Sequence, residues 1–210
     1  MNELIIIGAG GFGREVYNWS KQCPEYGKDW TIKGFLDDNA NALDGYYYPV
    51  PILGPISDYQ PQAGEVFAAG IGIVSAKKKI CTELKSRGAR FVTLVHPSAV
   101  LGGNVYIGEG SIVCPNVTIT SDIRVGDFVL VNCNSCIGHD STVGDWTTIS
   151  ALCDITGYCT IGDEVFLGSQ VSVIPSRTVG KGALLGAGSV VIRDVKPGTT
   201  VIGVPARELM

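Results

Sequence analysis

From Val95 onward the chain carries an aliphatic residue at every sixth position. Val95, Leu101, Ile107, Val113, Ile119, Val125, Val131, Ile137, Val143, Ile149, Ile155, Ile161, Leu167, Val173, Val179, Leu185 and Val191 form the series without an insertion. A period of six is neither the 3.6 of a helix nor the 2 of a half-buried strand. It is the hexapeptide repeat of a parallel β-helix. Each hexad supplies one short, flat face with its anchor pointing inward. Three faces make a triangular coil, so residues 18 apart stack. With coils about 4.8 Å apart the prism is roughly 25 Å tall. Gly follows the anchor at 102, 108, 126, 138, 144, 162, 168, 180 and 186, which predicts positive-φ corners at these glycines. Two positions before the anchor the residue is mostly small or β-branched, as at Ala99, Ser111, Ser135, Ser141, Thr147 and Cys153.

The first part of the chain is patterned differently. Leu4–Ile7 is a continuous aliphatic run and reads as a buried parallel strand. It feeds Gly8-Ala9-Gly10-Gly11-Phe12-Gly13 and then a helix over Arg14–Trp19. Thr31–Leu36 predicts a second strand ending in Asp37-Asp38. Residues 39–64 read as loop around a short Val50–Leu53 strand, and Glu65–Ile71 as a third main strand. Ser75 reads as the N-cap of a helix running through Arg87. Arg90–Val95 predicts a further strand leading through His96-Pro97 into the repeat. The register fails at Pro197, and 195–210 is expected to cap the open end, because a bare solenoid edge invites strand addition. The predicted fold class is therefore a small Rossmann-like α/β domain over residues 1–94, followed by an all-β parallel β-helix over residues 95–210.

Composition narrows the function. A net charge of −4, with no run of Lys or Arg, argues against a nucleic-acid binder. Seven Cys are scattered, and Cys133-Asn-Ser-Cys136 has no second pair or nearby His set to complete a zinc site. No apolar run reaches the ~20 residues of a membrane span, and the start is too short for a signal peptide. The expectation is a soluble cytoplasmic protein with reduced thiols. Outward apolar residues such as Val129 and Phe166 suggest association of prisms, with a trimer as the simplest arrangement.

Strand, glycine loop and helix together place backbone N–H groups against a phosphate, and Asp37 or Asp38 stands where a ribose or base contact would be made. The bland reading is a tight turn that packs helix on strand. Only one mononucleotide-binding half fits before the repeat, which favours a single nucleotide, or a substrate carrying one, over NAD. The chain has two histidines. His96, at the domain junction, reads as structural. His139 lies in the repeat two residues past an anchor, and stacking by 18 puts Gly157 beside it. A missing side chain there leaves room and a bare N–H for a ligand, and Asp140 can orient the imidazole as a general base. A solvated surface His beside a turn-forming Asp fits the same residues. With no second histidine in the repeat, a three-histidine zinc hydratase is excluded.

Taken together, Gly8-Ala9-Gly10-Gly11-Phe12-Gly13-Arg14-Glu15-Val16, Gly34-Phe35-Leu36-Asp37-Asp38, His96-Pro97-Ser98-Ala99, the hexads and Gly203-Val204-Pro205-Ala206-Arg207 resemble bacterial sugar acetyltransferases. This group holds sialic acid O-acetyltransferase-like proteins and N-acetyltransferases of nucleotide-linked 4-amino-4,6-dideoxy sugars. The resemblance implies a left-handed β-helix that forms homotrimers, with acetyl-CoA in the groove between neighbours and no metal. It implies His139 as general base with Asp140 beside it. Gly157, Thr148, Ala187 and Gly188 would meet acetyl-CoA, and Gly8, Gly10, Gly11, Phe12, Gly13, Asp37 and Asp38 the nucleotide sugar. Some relatives carry a second histidine where this chain has Thr148. N-transfer to a 4-amino group is the preferred reading. O-transfer to a sialic acid or related sugar, and a non-catalytic nucleotide-binding scaffold, remain the alternatives.

Overall fold

A computed structural model describes residues 1–209. The chain divides into two compact units, Met1–Pro97 and Ser98–Met210.

In the first unit β1 (Asn2–Ile7), β2 (Trp30–Leu36), β3 (Ile52–Gly54) and β4 (Glu65–Ala69) form a parallel sheet in the order β3-β2-β1-β4. Helices α1 (Gly11–Ser20) and α2 (Val74–Ser86) follow β1 and β4. Leu4, Ile5, Ile6 and Ile7 are wholly buried, which is why β1 reads as an unbroken aliphatic run and not as an alternation. At the end of the sheet away from Gly8, Lys33 on β2 donates to Glu3 on β1 at 2.7 Å and to buried Glu65 on β4 at 2.8 Å. The Tyr59 hydroxyl and the Gln62 N–H also donate to Glu65, both at 2.7 Å. Burial works to raise the Glu65 pKa, but the hydrogen bonds from Lys33, Tyr59 and Gln62 outweigh it and hold the carboxyl below its ordinary value.

Four readings of this unit need correction. Helix α1 starts at Gly11, inside the glycine loop, and not at Arg14. Strand β4 stops at Ala69, because Gly70 passes so close to Gly13 and β1 that a β-carbon there would stand 2.8 Å from Gly13 Cα and from Ile7 O. Ser75 is not a cap: α2 begins at Val74, with Ile73 at the N-cap and its carbonyl taking the Lys77 N–H. Arg90–Val95 gives this sheet only one bridge, Phe67 to Phe91, and the chain leaves the edge after Val92 donates to Phe67 O.

The second unit is a parallel β-solenoid of the left-handed β-helix type. Its register is 18, as in Val131↔Ile149, Ile137↔Ile155 and Val143↔Ile161. Every anchor from Val113 to Val191 is at most 3% exposed, whereas Leu101 on the first coil is 41% exposed. The residue two before the anchor also faces in. Ser135, Ser141 and Thr147 each donate to a carbonyl of the next coil, on Ser150, Thr156 and Gly162. The same hydroxyls accept the N–H groups of Cys153, Cys159 and Val165. Buried polar atoms are thereby paired inside the wall. Val129 occupies such a position and is 1% exposed, so it is a core residue and not an outward one.

The corners are not where the glycines suggested. Positive φ falls three residues past the anchor, on Asn104, Asn116, Asp122, Phe128, Asn134, Asp140, Trp146, Leu152 and Tyr158 among others. The glycine directly after the anchor is needed for close approach instead. A β-carbon at Gly138 would stand 2.6 Å from Gly157 N, and one at Gly162 2.7 Å from Lys181 N. Backbone of the next coil fills the space a side chain would take. The last coil is two residues short: Val179 bridges Val195, and Leu185 pairs with Val201 on the strand Thr200–Ile202. Arg207–Glu208 then runs antiparallel along that strand.

Candidate active site

The turn after β1 shows what each glycine is for. Gly8 has φ +90, and a β-carbon on Gly13 would collide with Gly8 O. These two make the turn and seat the helix on the strand. Gly10 and Gly11 have open space where side chains would be, so a ligand can approach the backbone there. No side chain caps α1, which leaves its first-turn N–H groups directed outward. Phe12 packs edge-on against Trp19 at 6.1 Å. Asp37 closes the turn, taking the Ala9 N–H at 2.7 Å and the Asn39 N–H at 2.9 Å. Asp38 takes the Ile56 N–H at 2.8 Å. Both carboxylates therefore shape backbone, Asp37 with each oxygen engaged and Asp38 through Oδ1.

Beside this turn lies a feature the sequence did not single out. Arg14 donates to Ala9 O at 3.2 Å and stacks on the Tyr46 ring at 3.8 Å. Tyr46, Tyr47 and Tyr48 then line an open groove of about 460 Å³ with Tyr17, Asn18 and Lys21. Nothing in a loop of mixed composition marks these tyrosines as a wall.

In the solenoid, His139 and Asp140 stand on the corner after Cys136–Ile137. His139 Nδ1 and Asp140 Oδ2 are 2.8 Å apart, with 56% of the histidine side chain and 43% of the aspartate side chain exposed. Asp140 adopts φ +57 and donates its N–H to Ser121 O. Directly across from the ring is Gly157, where a β-carbon would stand 2.7 Å from His139 Nε2. The Gly157 N–H donates to no other group among the described residues. With Nδ1 turned to the carboxylate, Nε2 is the ring nitrogen left for a substrate, and the ring packs against Gly157. The arrangement can take a proton from a nucleophile and offer an N–H to a developing oxyanion.

The other assigned residues are elsewhere on the prism. Thr148 lies half a coil on, 3% exposed, on the strand Thr148–Ile149. Ala187 and exposed Gly188, φ +71, occupy the corner that carries Ser169, whose carbonyl takes the Gly188 N–H. Within one chain they do not share the corner of His139 and Gly157. His96 is 8% exposed, with Nε2 3.2 Å from Gln22 Oε1, and burial pushes its pKa below the ordinary 6.5. Among the described residues no disulfide joins any of the seven cysteines. Burial pushes the Cys153 thiol up to about 11, and its Sγ donates to Gly168 O. Among the described residues no cluster of three His, Cys, Asp or Glu could hold a metal, and no helix is long and apolar enough to cross a membrane.

Residues 3–84 match the PglD N-terminal domain, and residues 91–187 the GMPPB C-terminal domain. A UDP-N-acetylbacillosamine N-acetyltransferase of Bacillus subtilis (strain 168) is 28% identical over 117 residues, 54% of this chain. The match spans about half the length of that curated relative, 51%. WeeI of Acinetobacter baumannii AYE superposes with a TM-score of 0.88 at 29% identity, covering 100% of both chains. The acetyltransferase domain of PglB from Neisseria gonorrhoeae FA1090, solved with acetyl coenzyme A, gives 0.89 and 29%, again over 100% of both. PerB of Caulobacter crescentus, solved with CoA and GDP-perosamine, gives 0.89 and 28%, over 100% of this chain and 98% of that one. In its two domain matches and over its full length, the chain is similar to sugar N-acetyltransferases of the left-handed β-helix type.

Proposed function

We propose that this protein transfers the acetyl group of acetyl-CoA to the amino group of a nucleotide-linked amino sugar, with His139 as general base. The observation that carries the reading is the close approach of the His139 imidazole to Gly157, where any side chain would collide with Nε2. It lies in a chain whose full-length likenesses include proteins solved with acetyl-CoA and with a GDP-linked amino sugar. The relatives' N-acetyltransferase activity favours an amine over a hydroxyl as acceptor.

In the α/β unit, the exposed backbone at Gly10 and Gly11 and the turn fixed by Asp37 and Asp38 hold the nucleotide. In the β-helix unit, the sugar nitrogen attacks the thioester carbonyl while Nε2 removes its proton. Asp140 keeps the ring oriented through Nδ1. The carbonyl oxygen becomes an oxyanion that the Gly157 N–H can meet. The C–S bond then breaks, and the thiolate leaves with CoA. Acid–base help of this kind is typically worth ~10²–10⁴ in rate.

Assigning Thr148, Ala187 and Gly188 to the same acetyl-CoA implies a second copy of the chain. They occupy other parts of the prism than His139, and a threefold arrangement sets one copy's corner beside another's. The homotrimer is thus part of the proposal, and sedimentation tests it directly. Acetyl-CoA as co-substrate and seven cysteines outside any disulfide support a cytoplasmic setting.

The deciding experiment offers acetyl-CoA with UDP-, GDP- and dTDP-linked 4-amino sugars and reads free thiol. One of the set should release thiol in step with amide formation. Thiol release only with the hydroxyl analogues, or with no sugar at all, would overturn the assignment.

A further inference from the structure

Tyr158 differs from the other aromatic residues on left-handed corners, Phe128 and Trp146, which stack on each other with ring centroids 4.2 Å apart. It occupies a left-handed corner, φ +58, of the kind that other coils give to Asn104, Asn116, Asp122 and Asn134. Asn and Asp tolerate that backbone, and a bulky side chain there is strained. Burial gives nothing back, since Tyr158 is 60% exposed. What the ring does touch is His139. The two rings meet edge to face, with centroids 5.1 Å apart and planes at 88°. The corner is also tied to the histidine through its backbone, the Tyr158 N–H donating to His139 O at 2.9 Å.

Two side chains thus hold the imidazole. Asp140 fixes Nδ1 and Tyr158 limits rotation of the ring plane, while Gly157, lacking a side chain, lets the ring lie against it. The carboxylate alone does not limit that rotation, because a single hydrogen bond on a ring more than half exposed leaves rotation about it free. We infer that Tyr158 is a positioning residue, an aromatic stop that holds His139 with Nε2 directed at the reacting amine. The hydroxyl is not required for this; the ring is. The inference rests on the proposed function, and its test has an arm that does not.

Three variants separate the possibilities. Tyr158→Ala removes the stop and should lower kcat by roughly tenfold to a hundredfold, the cost of a misplaced catalytic group. KM for both substrates should move by no more than about twofold, because the stop acts on the base and not on bound substrate. Tyr158→Phe keeps the ring and should restore most of kcat. Tyr158→Asn suits the left-handed corner, so its melting temperature should equal or exceed that of the unmodified protein while kcat falls as in the Ala variant. A purely structural residue would show the opposite order, with activity following stability. The independent arm is nitrogen NMR of the imidazoles, feasible because the chain has two histidines and a His96→Gln variant assigns them. His139 should hold one tautomer in the unmodified protein and in Tyr158→Phe, and lose it in Tyr158→Ala. If the unmodified protein transfers no acetyl group, the proposed function fails and the NMR arm still decides. An unchanged tautomer in all variants, an undiminished kcat in Tyr158→Ala, or a loss confined to KM would each overturn the role of Tyr158.

Discussion

A β-carbon on Gly157 would stand 2.7 Å from His139 Nε2. The neighbour it meets is the far end of a half-exposed side chain and not backbone, so Gly157→Ala displaces the ring more readily than it unfolds the coil. Gly157 has no positive φ, and the backbone accepts alanine. The expected result is a kcat about a hundredfold lower, from a misaligned base and a blocked donor. The melting temperature should stay close to that of the unmodified protein. A variant with full activity would mean that nothing passes between these two residues during the reaction.

His139→Ala removes the base itself. We expect kcat to fall by ~10²–10⁴ with KM for both substrates nearly unchanged, since the imidazole acts in the transition state. Asp140→Asn should cost less, because it loosens orientation but leaves Nε2. His96→Ala is the control, and its folded fraction should keep a normal kcat. Steady-state kinetics on the best sugar from the substrate panel checks all three.

Acid should act on the first unit through Glu65. Its carboxyl is held below the ordinary value of 4.5 in the folded chain. The sign follows directly: the unfolded chain takes up the proton first as pH falls, so this stabilisation is complete above about pH 4.5 and is lost as pH drops through the folded pKa. Glu65→Gln leaves Lys33 with only Glu3 and should flatten that acid limb while lowering stability at neutral pH. Urea titrations between neutral pH and pH 3 test this. An unaltered acid limb in the variant would show that other carboxylates carry the transition.

Gly162→Ala should be costly in a different way. Its β-carbon would press on Lys181 N at 2.7 Å and on Lys181 Cα at 3.0 Å, both backbone of the next coil. Overpacking of this type costs about 1–3 kcal/mol, read as a lower denaturant midpoint with no shift in the slope. Gly182→Ala is the contrast: it has open space but φ +68, so its cost is backbone strain alone.

The solenoid was legible because depth in a prism is written in aliphatic residues, and the anchors alone set the register. Corner chemistry was not. The left-handed position takes Asn and Asp on some coils but Phe128, Trp146, Leu152 and Tyr158 on others, so no composition signal survives. Glycine after the anchor misled because close approach and positive φ call for the same residue. His139, Asp140 and Gly157 could be assembled on paper, since stacking by 18 places 139 over 157. Tyr158 could not, because the same rule sets it under Asp140 and its contact with the histidine is diagonal. In the first unit, strand cores followed from unbroken aliphatic runs. The groove of Tyr46, Tyr47 and Tyr48 depended on how a loop folds back on α1, and residue order does not disclose that.

The 18-residue register also governs how this half of the protein can change length. Each coil hydrogen-bonds only to the coils before and after it, so excising 18 residues between equivalent corners would rejoin matching faces. Excising one would turn every later anchor toward solvent, much as a lost nucleotide garbles all codons downstream. The second half of the chain therefore has a frame of its own, read in whole coils. The last turn, two residues short between Val179 and Val195, breaks that frame, and Leu185 meets Val201 at the same shortened spacing.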